Sequence, residues 1–552
     1  MLPAVSDPSR LLWESFMTFL RHAVAAQRKR DTKARALWLE AASHLHGADA
    51  ASVVSAVKQL LGQQRFDAAI TLAETSCELE PDHAALLFHL GLALQLAGRH
   101  AESIPVYRRA MSIDPDAPSL RNNLAAALLQ GERASAEAVA LLARALELTP
   151  DDANGWINLS YAQLARQQLV AALAAGERAI ALAPDDPRAL TNHANVLREA
   201  QRWDEAERHA SAAHRLAPAD ASFCSNLGML HLLRGNYADG WREHEARWSG
   251  SAELRGQRPA LPGPMWRGEP LAGKTLLLWG EQGMGDLLQF CRYVPLLAER
   301  VHREGGRLSW NSFPQMGALL SRSLAGTVDE YTAGGDVHHL PAFDYELPLL
   351  TLPLVFDTRE ATIPGPSPYL FAEPTAVALW RARLAGERRL KVGLAWTGSV
   401  GHQRNPFRAV GWKRYARHFR ELGDEVAFYS LQPGAGADVA AARAAGLDLV
   451  DHTAALRSFD DTAAFIEALD LVITVCTSVA HLSGALGQRT WVLLDVNPHW
   501  VWLLGRRDSP WYPSATLYRQ PAFAQWAPVM DAVSRDLAGL ARERALSSGA
   551  PA

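Results

Sequence analysis

Residues 279–286 read WGEQGMGD and follow a short apolar run. Gly283 and Gly285 permit a tight turn and a close approach of the backbone, and the N-terminus of a following helix favours an anion or a developing negative charge. Asp286 is a candidate general base that deprotonates an acceptor hydroxyl, with a helix N-cap as the alternative. Glu281 is the second candidate for the same role. The segment predicts catalysis by a carboxylate at a strand–helix turn.

A second polar segment, TGSVGHQRNPFRAV at residues 397–410, follows the apolar run KVGLAW. Hydroxyls and arginines beyond the carboxyl end of a strand suit the binding of a diphosphate, and the alternative is a solvated polar loop. Gln432 closes the next apolar run and is a candidate for contact with a base or a ribose. The candidates of this segment for binding the substrate that carries the diphosphate are Ser399, His402, Arg404, Asn405 and Arg408.

A third segment begins at Cys476, at the end of the apolar run LDLVITV, and continues as the predicted helix SVAHLSGALG. Thr477 or Ser478 would cap this helix, and its free N–H groups would hold a phosphate. His481 lies one turn into the helix and is a candidate ligand of the same substrate. The alternative is a histidine that is packed or hydrogen-bonded within the fold. The segment predicts a second anchor for the donor.

Two further patterns lack the context that their usual chemistry needs. Residues 268–275, GEPLAGKT, match the phosphate-binding loop of nucleotide hydrolases by letter, but such a loop follows a strand and opens a helix. Here an apolar run follows the pattern, so Lys274 is expected at the start of a strand, away from the edge where ligands bind. No Asp-x-Asp stands at the end of a predicted strand. We therefore expect neither a metal ion nor a cofactor, and a leaving group stabilised by arginines and helix dipoles.

These segments need a scaffold of parallel strands. From Lys274 onward, short apolar runs alternate with amphipathic helices, which is typical of a doubly wound α/β sheet. A proline-rich stretch and a helix at residues 362–386 separate two such groups, so we predict two Rossmann-like lobes that face a cleft. The predicted strands are 275–279, 391–396, 425–432, 469–474 and 490–496.

The first half of the chain is a repeat array. Prolines recur at intervals of 34, 35, 34 and 34 residues, and small residues stand at fixed positions relative to them, which lets paired helices approach closely. The pattern resembles the tetratricopeptide repeat and implies an α superhelix. Such an array grips a polypeptide on its concave surface or serves only as a scaffold. The prolines are Pro81, Pro115, Pro150, Pro184 and Pro218.

Changes in pattern and composition predict the domain boundaries. Residues 249–272 are polar and rich in proline and glycine, which is typical of a linker. The predicted parts are a helical N-terminal cap at 1–50, the repeat array at 51–248, the linker at 249–272, a first α/β lobe at 273–386 and a second α/β lobe at 387–552.

The composition is typical of a soluble protein with several domains. A chain of 552 residues, of which 48% are hydrophobic and 21% charged, is too long for a single core. Its net charge of −4 gives no basic field for nucleic acid, and no apolar run reaches the ~18 residues of a membrane span. Four scattered cysteines form no metal or disulfide spacing. We expect a cytoplasmic protein, and repeat arrays of this kind also allow pairing into a homodimer.

The chain resembles the bacterial tetratricopeptide-linked glycosyltransferases related to the ADP-heptose:lipopolysaccharide heptosyltransferases. Its architecture is also similar to that of the O-linked N-acetylglucosamine transferases. The resemblance rests on the motifs WGEQGMGDLLQFCRYVP, WTGSVGHQRNPFRAV, DDTAAFIEALDLVITVCTSVAHLSGALG and SPWYP. It implies a catalytic region of the GT-B fold, in which the lobe at 273–386 is the acceptor side and the lobe at 387–552 is the nucleotide-sugar side.

The resemblance also implies roles for individual residues. The pair Gly285–Asp286 matches the pair that supplies the proposed base. Ser399, with Arg404 or Arg408, matches the loop that contacts the donor phosphates. The last family motif matches residues 477–481, with Thr477, Ser478 and His481 at its defined positions. Cys476 departs from the family, which commonly has at this position an aspartate that contacts the donor.

The resemblance implies a metal-independent, inverting glycosyltransferase. The enzyme would move a sugar from a nucleotide-sugar to a polypeptide or envelope-glycan acceptor recruited by the repeats. The alternative is a non-catalytic adaptor, in which the repeats bind a partner and the lobes are a relic. The glycines and the carboxylate of residues 279–286 favour the enzyme, and Cys476 favours the adaptor. The donor sugar, its nucleotide base and the acceptor stay open.

Overall fold

The computed structural model describes residues 8–281, 283–335, 339–365 and 367–547. The first seven residues of the predicted cap and the last five of the chain lie outside this description. The chain divides into two compact units, Met1–Val196 and Leu197–Ala552. Most of the repeat array lies in the first unit. Its last helices lie in the second, together with both sheets.

Residues 8–250 are helical, and consecutive helices pack against each other in pairs. The small residues at repeated positions are all fully buried where helices meet: Ala69, Ser103, Ala138, Ala172 and Ala206. The predicted prolines lie in the turns between pairs. The helices are α1 (Pro8–Arg28), α2 (Thr32–Ser43), α3 (Ala50–Gly62), α4 (Phe66–Leu79), α5 (Ala84–Leu96), α6 (His100–Ile113), α7 (Pro118–Gly131), α8 (Ala136–Leu148), α9 (Ala153–Ala165), α10 (Leu169–Leu182), α11 (Pro187–Glu199), α12 (Trp203–Leu216), α13 (Ala221–Leu233), α14 (Tyr237–His244) and α15 (Arg247–Gly250).

Side chains close the turns between many of these helices. Asp49, Asp152 and Asp220 each precede a helix and accept a hydrogen bond from one of its first N–H groups. Such caps satisfy donors that a helix start would otherwise leave unpaired. Gly91 in α5 lies against the ring of Tyr107 in α6, and a Cβ at that glycine would be 2.5 Å from the tyrosine ring. The spacing of small residues therefore reports true helix–helix contacts.

The first sheet has the strand order β3-β2-β1-β4, and every pairing among its described strands is parallel. Its central strand β1 is almost entirely buried, which explains its continuous apolar sequence TLLLW. The strands are β1 (Thr275–Trp279), β2 (Arg307–Ser312), β3 (Glu330–Ala333) and β4 (Tyr345–Pro348).

The second sheet has the order β10-β9-β8-β5-β6-β7, again with parallel pairing throughout its described strands. The prediction of parallel α/β sheets after the repeats is confirmed. The strands are β5 (Leu390–Ala395), β6 (Val426–Ser430), β7 (Leu449–Val450), β8 (Leu471–Val475), β9 (Thr490–Leu494) and β10 (Ala515–Arg519).

Helices connect the parallel strands, as parallel pairing requires. The predicted helix DLLQFCRYVPLLAERV is two helices, because Pro295 has no N–H group and a three-residue 3₁₀ turn precedes it. The helices are α16 (Met284–Phe290), α17 (Val294–Arg303), α18 (Gly317–Ser323), α19 (Leu352–Val355), α20 (Pro374–Arg383), α21 (Asn405–Arg408), α22 (Trp412–Phe419), α23 (Gly436–Ala444), α24 (Phe459–Ile466), α25 (Ser478–Ala485) and α26 (Ala527–Ser547).

Residues 249–272, predicted as a linker, pack along the first sheet. Met265 forms a parallel bridge with Glu346 of β4, and the Trp266 N–H donates to the Glu346 carbonyl at 2.9 Å. The Trp266 side chain is buried. The segment thus adds to the sheet edge beside β4.

Each sheet has one position where the strand order reverses. In the first sheet the chain leaves β1 towards β2 on one side and returns to β4 on the other. In the second sheet the same reversal separates β5 from β8. Ligands of parallel α/β sheets bind beyond the carboxyl ends of strands at such positions. The three polar segments of the sequence follow β1, β5 and β8, so the topology brings them to these two crevices.

Candidate functional site

The turn after β1 places Asp286 in the first turn of α16. Gly283 precedes this helix with a φ of 103°, in the region that favours glycine, and a Cβ there would collide with the Asp286 carboxylate. The helix starts at Met284, so Asp286 is not its N-cap. Burial raises the pKa of Asp286 to about 7, and the negative charges of Glu281 and Glu253 add to the effect. A half-buried carboxyl that titrates near neutral pH is suited to taking up a proton.

Glu281 lies in a buried ion pair. Its two carboxylate oxygens accept hydrogen bonds from Nε and Nη2 of Arg247, at 2.7 and 2.8 Å, and one also accepts from the Leu350 N–H at 2.9 Å. Glu281 and Arg247 are each 2% exposed. Glu281 therefore fixes the turn after β1 to Arg247. Asp286, the other carboxylate of this segment, has no ion pair with any residue that the structure describes.

The loop after β5 is held by two amides. The Asn405 Oδ1 accepts from the Gly398 N–H at 3.0 Å, and its Nδ2 donates to the Thr397 hydroxyl at 3.0 Å. The Gln432 Oε1 accepts from the Thr397 N–H at 3.3 Å. Asn405 and Gln432, both expected to touch the donor, thus shape the loop, and Ser399 lies exposed on it.

Arg404 binds two buried carboxylates. Its Nη1 lies 2.5 Å from Glu199 Oε1, and its Nη2 lies 2.6 Å from Asp495 Oδ2. Both acids stabilise the charged form of the guanidinium and raise the pKa of Arg404, against the effect of burial. Arg404, predicted to bind the donor phosphates, is placed by the structure in an internal ion-pair network.

Arg408 differs from Arg404 because its guanidinium forms no ion pair within the described residues. Its Nε is buried without a hydrogen-bond partner there. The guanidinium packs over Gly398, where a Cβ would collide with it. Its charge lowers the pKa of two half-buried histidines, His402 and His499, in addition to the larger effect of burial. An unpaired, half-buried cation in a crevice is suited to a phosphate.

The loop after β8 opens α25 without a side-chain cap. Thr477 occupies the N-cap position in an extended conformation, and its hydroxyl accepts no hydrogen bond from the helix. Thr477 and Ser478 are both half-buried. The first N–H groups of α25 and these hydroxyls face the same crevice as the loop after β5, since β5 and β8 are neighbours.

Cys476 links the two crevices electrostatically. Burial raises the pKa of its thiol, Arg408 opposes the rise, and Asp286 adds to it. The Trp502 indole donates a hydrogen bond to its Sγ at 3.1 Å. Both charges act on this one thiol, and α16, which carries Asp286, packs on α25 through the contact of Gly285 with His481.

His481 is a buried, neutral contact between the sheets. Burial lowers the pKa of His481 to about 3, and Arg292 and Arg408 add to the effect. Its Nδ1 is hydrogen-bonded to the Tyr512 hydroxyl at 2.9 Å, and its ring packs against Trp502. The candidate site thus consists of the segments that carry Asp286, Arg408, Thr477, Ser478 and His481, with Gly283 against the Asp286 carboxylate and Gly285 against the His481 ring.

Several residues of the site carry no signal in the sequence. They are Arg247, Glu199, Asp495, His499 and Arg292. Arg292 donates to the Trp511 carbonyl at 2.7 Å and lies over the rings of Tyr369 and Tyr512, so it joins the first sheet's helix to the SPWYP motif. The motif itself was a usable signal, because an aromatic cluster beside a strand end often encloses a cation.

Residues 268–275 do not form a phosphate-binding loop. Lys274 precedes β1, and its Nζ pairs with Asp344 at 2.9 Å. This position is the amino end of the strand, opposite the end where Asp286 lies. The prediction from the order of the elements agrees with this placement.

The family model described as "Tetratricopeptide repeat" matches residues 55–118, 120–187 and 191–252. These residues carry tetratricopeptide repeats. The first part of the predicted architecture is thereby confirmed. In the described part of the chain no helix has both the length and the apolar character needed to cross a membrane.

A curated relative matches most of the chain. Protein FlbA of Caulobacter vibrioides is 27% identical over 507 residues, which cover 86% of this chain and 81% of FlbA.

Three solved structures illustrate what part of this chain is similar to. PilW, described as a type IV pilus biogenesis factor, is 18% identical and covers 37% of this chain and 94% of its own, with a TM-score of 0.33. A tetratricopeptide-repeat protein of Thermus thermophilus is 20% identical, covers 33% and 97%, and has a TM-score of 0.30. PilF of Pseudomonas aeruginosa is 17% identical, covers 37% and 93%, and has a TM-score of 0.32.

Proposed function

We propose that the chain is a metal-independent, inverting glycosyltransferase of the GT-B type. It moves a sugar from a nucleotide-sugar donor to a polypeptide or envelope-glycan acceptor. One observation carries the proposal: α16, which carries the Asp286 carboxyl with its pKa raised to about 7, packs on α25 at Gly285 and His481. The strand before α25 is paired with β5, whose following loop carries Arg408, an arginine without an ion pair among the described residues. A base and an anion-binding cation around one point are what transfer to a hydroxyl requires.

The donor phosphates bind the second sheet. Arg408 supplies a positive charge, and the N-terminus of α25 supplies N–H groups together with the Thr477 and Ser478 hydroxyls. This set neutralises the leaving group without a bridging metal. Neutral His481 and His499 add hydrogen-bonding groups and no charge, because the pKa of each is well below neutral.

The reaction is a single displacement. The acceptor hydroxyl oxygen forms a bond to the anomeric carbon of the sugar, Asp286 takes the hydroxyl proton, and the bond from that carbon to the donor phosphate breaks. The nucleotide leaves with the bonding electron pair, its charge held by Arg408 and α25. Attack opposite the leaving group inverts the anomeric carbon.

A candidate base, Glu281, and a candidate donor ligand, Arg404, take supporting roles in this proposal. Glu281 holds the base-bearing turn through Arg247, so the base is assigned to Asp286 alone. Arg404 anchors the loop after β5, so the donor arginine is Arg408. The repeats recruit the acceptor, because arrays of this class present an extended surface to a polypeptide.

A non-catalytic adaptor is the second candidate. Two observations favour it: Cys476 is buried and its Sγ accepts a hydrogen bond from Trp502, and Arg404 is already paired with Glu199 and Asp495. An adaptor would bind a partner through the repeats and leave the crevices empty of nucleotide.

A nucleotide screen distinguishes the two candidates. The purified full chain is heated with UDP, ADP, GDP or CMP, and with their common sugars, in the presence of EDTA. A nucleotide at about a hundred times its Kd adds roughly 2.7 kcal/mol to the free energy of unfolding, and Tm rises accordingly. We expect one nucleotide to raise Tm in the wild type and not in Arg408→Gln. No rise with any nucleotide contradicts the enzyme and favours the adaptor.

Catalysis is tested separately in cells. A strain that produces Asp286→Asn in place of the wild type should lose transfer of the sugar, detected as a mobility shift of the glycosylated acceptor, while the purified variant keeps its nucleotide-dependent rise in Tm. Unchanged glycosylation in the Asp286→Asn strain would exclude general-base catalysis by this residue.

A further inference from the structure

A repeat helix contributes a side chain to the loop after β5. Glu199 is the last residue of α11, and it belongs to the same compact unit as both sheets. Its Oε1 lies 2.5 Å from Arg404 Nη1 and accepts from the Asn497 Nδ2 at 2.7 Å. The Arg198 guanidinium donates to the Asn497 Oδ1 at 3.2 Å. Two consecutive repeat residues are thus bonded to groups that follow β5 and β9.

The carboxylates and the amide of this network are buried, and Arg404 compensates the charges of both acids. Glu199, Asp495 and Asn497 are 2%, 4% and 3% exposed. Burial raises the pKa of Asp495 to about 6, and Arg404 opposes the rise. Each buried charge needs its partner, because an unpaired charge in the interior is strongly unfavourable. Arg404 therefore stays where its two acids hold it.

Arg404 controls the position of Arg408. It immediately precedes α21, a single helical turn that ends at Arg408, and the Arg408 N–H donates to the Arg404 carbonyl at 3.2 Å. Arg408 has no side-chain ion pair of its own within the described residues, so the loop backbone and the contact with Gly398 hold its guanidinium in place.

We infer that Glu199 is a positioning residue for the donor-phosphate subsite, supplied by the repeat array. It clamps Arg404, and the clamped turn presents Arg408 to the phosphates of the nucleotide. The inference rests on the proposed function, because it assigns Arg408 to the donor.

The test compares Glu199→Gln with the wild type in the full chain. Glutamine keeps the size and one acceptor oxygen but removes the charge that holds Arg404. Hydrogen exchange of the amides at residues 397–410, without ligand, should accelerate by about tenfold. Titration with UDP, ADP, GDP and CMP should show the Kd of the nucleotide that the wild type binds weakened by about 10- to 100-fold. Glu147→Gln, an exposed repeat glutamate paired with Arg144, is the matched control and should change neither value.

Glu199→Asp keeps the charge but is one methylene shorter, and it serves if Glu199→Gln does not fold. Glu199→Asp should weaken nucleotide binding less than Glu199→Gln does. If Glu199 served only overall stability, the two folded variants would bind the nucleotide equally well. An unchanged nucleotide Kd in both folded variants overturns the inference and leaves the proposed function standing. Absence of nucleotide binding by the wild type overturns the proposed function, and the inference with it.

Discussion

Gly285 and His481 are in direct contact: a Cβ on Gly285 would lie 2.9 Å from the Cδ2 of His481. Gly285 belongs to α16 after the first sheet, and His481 belongs to α25 after the second. The two helices that carry the candidate base and the donor anchor therefore pack on each other at a residue without a side chain. The distance between α16 and α25 at this contact therefore determines how close Asp286 lies to the donor site.

Gly285→Ala should disturb this contact. The His481 ring is fixed by Tyr512 and Trp502, so the added methyl group must displace a packed element. We expect the free energy of unfolding to fall by about 1–3 kcal/mol, measured by urea denaturation. Gly386→Ala is the control, because a Cβ there meets open space. Equal stability of the two variants would show that His481 moves freely.

Asp286→Asn should stabilise the protein in a pH-dependent manner. The pKa of the carboxyl is about 7 in the folded chain and about 3.9 when unfolded, so folding opposes its ionisation. Below pH 4 it is protonated in both states, and the variant gains nothing. As the pH rises from 4 to 7 the wild type loses stability that asparagine keeps. We expect a gain of about 2 kcal/mol at pH 8, reduced from the full pKa difference because Asp286 keeps contact with water. A gain of the same size at pH 3 and pH 8 would contradict the raised pKa.

Asp286 should also set the pH dependence of transfer. A general base acts in its ionised form, so kcat/KM should rise with pH through about 7 and level off above it. The measurement is the initial rate of sugar transfer between pH 5.5 and 8.5 with the nucleotide-sugar that the screen selects. A rate that falls over this range would point to an acid in the same position.

Substitution of Arg408 should weaken nucleotide binding, whereas substitution of Arg404 should lower the stability of the fold. Arg408→Gln removes a cation without an internal partner, so nucleotide binding should weaken about tenfold or more while Tm stays near the wild-type value. Arg404→Gln leaves Glu199 and Asp495 buried without their shared cation and should cost about 3–5 kcal/mol of stability. Calorimetric titration and urea denaturation of both variants make the comparison. The reverse pattern would assign the donor to Arg404.

Glu281→Gln should destabilise the fold through Arg247. Arg247 is 2% exposed, and its Nε and Nη2 both donate to Glu281, so the variant leaves a buried guanidinium undercompensated. We expect a loss of about 3–5 kcal/mol in urea denaturation. Glu304→Gln breaks a solvent-accessible pair with Arg300 and should cost less than about 1 kcal/mol. A small loss in both would mean that water reaches Glu281.

Local sequence patterns predicted the scaffold well. The repeat period could be found because close helix–helix contacts require small residues at fixed positions. The strands β1 and β8 could be found because their apolar runs are buried on both faces of the sheet. Among the described strands, β2, β3, β4, β7 and β10 escaped prediction. For example, β2 mixes polar and apolar residues, and β7 has only two residues. Long-range pairing supplies their stability, which no local window contains.

The candidate site was predictable only in part. Asp286 and Arg408 lie in the polar segments that follow β1 and β5, so they could be found from position and residue type. The partners of Arg404 could not, because Glu199 is 205 residues away in sequence and nothing near it distinguishes it from other repeat glutamates. A basic residue in a polar loop fits a phosphate and an internal carboxylate equally well, and only the fold decides between them.

Two arginine–carboxylate contacts, Arg247 with Glu281 and Arg404 with Glu199, also limit where the chain can be shortened. A truncation at residue 249, where the composition changes, would remove Arg247 and Glu199 together. Glu281 and Arg404 would then remain in the shortened protein as buried charges, one without its arginine and the other with a single acid. Such a fragment should be insoluble or aggregate on expression, whereas one that begins before Pro187 retains both contacts and is the rational starting point for a minimal catalytic protein.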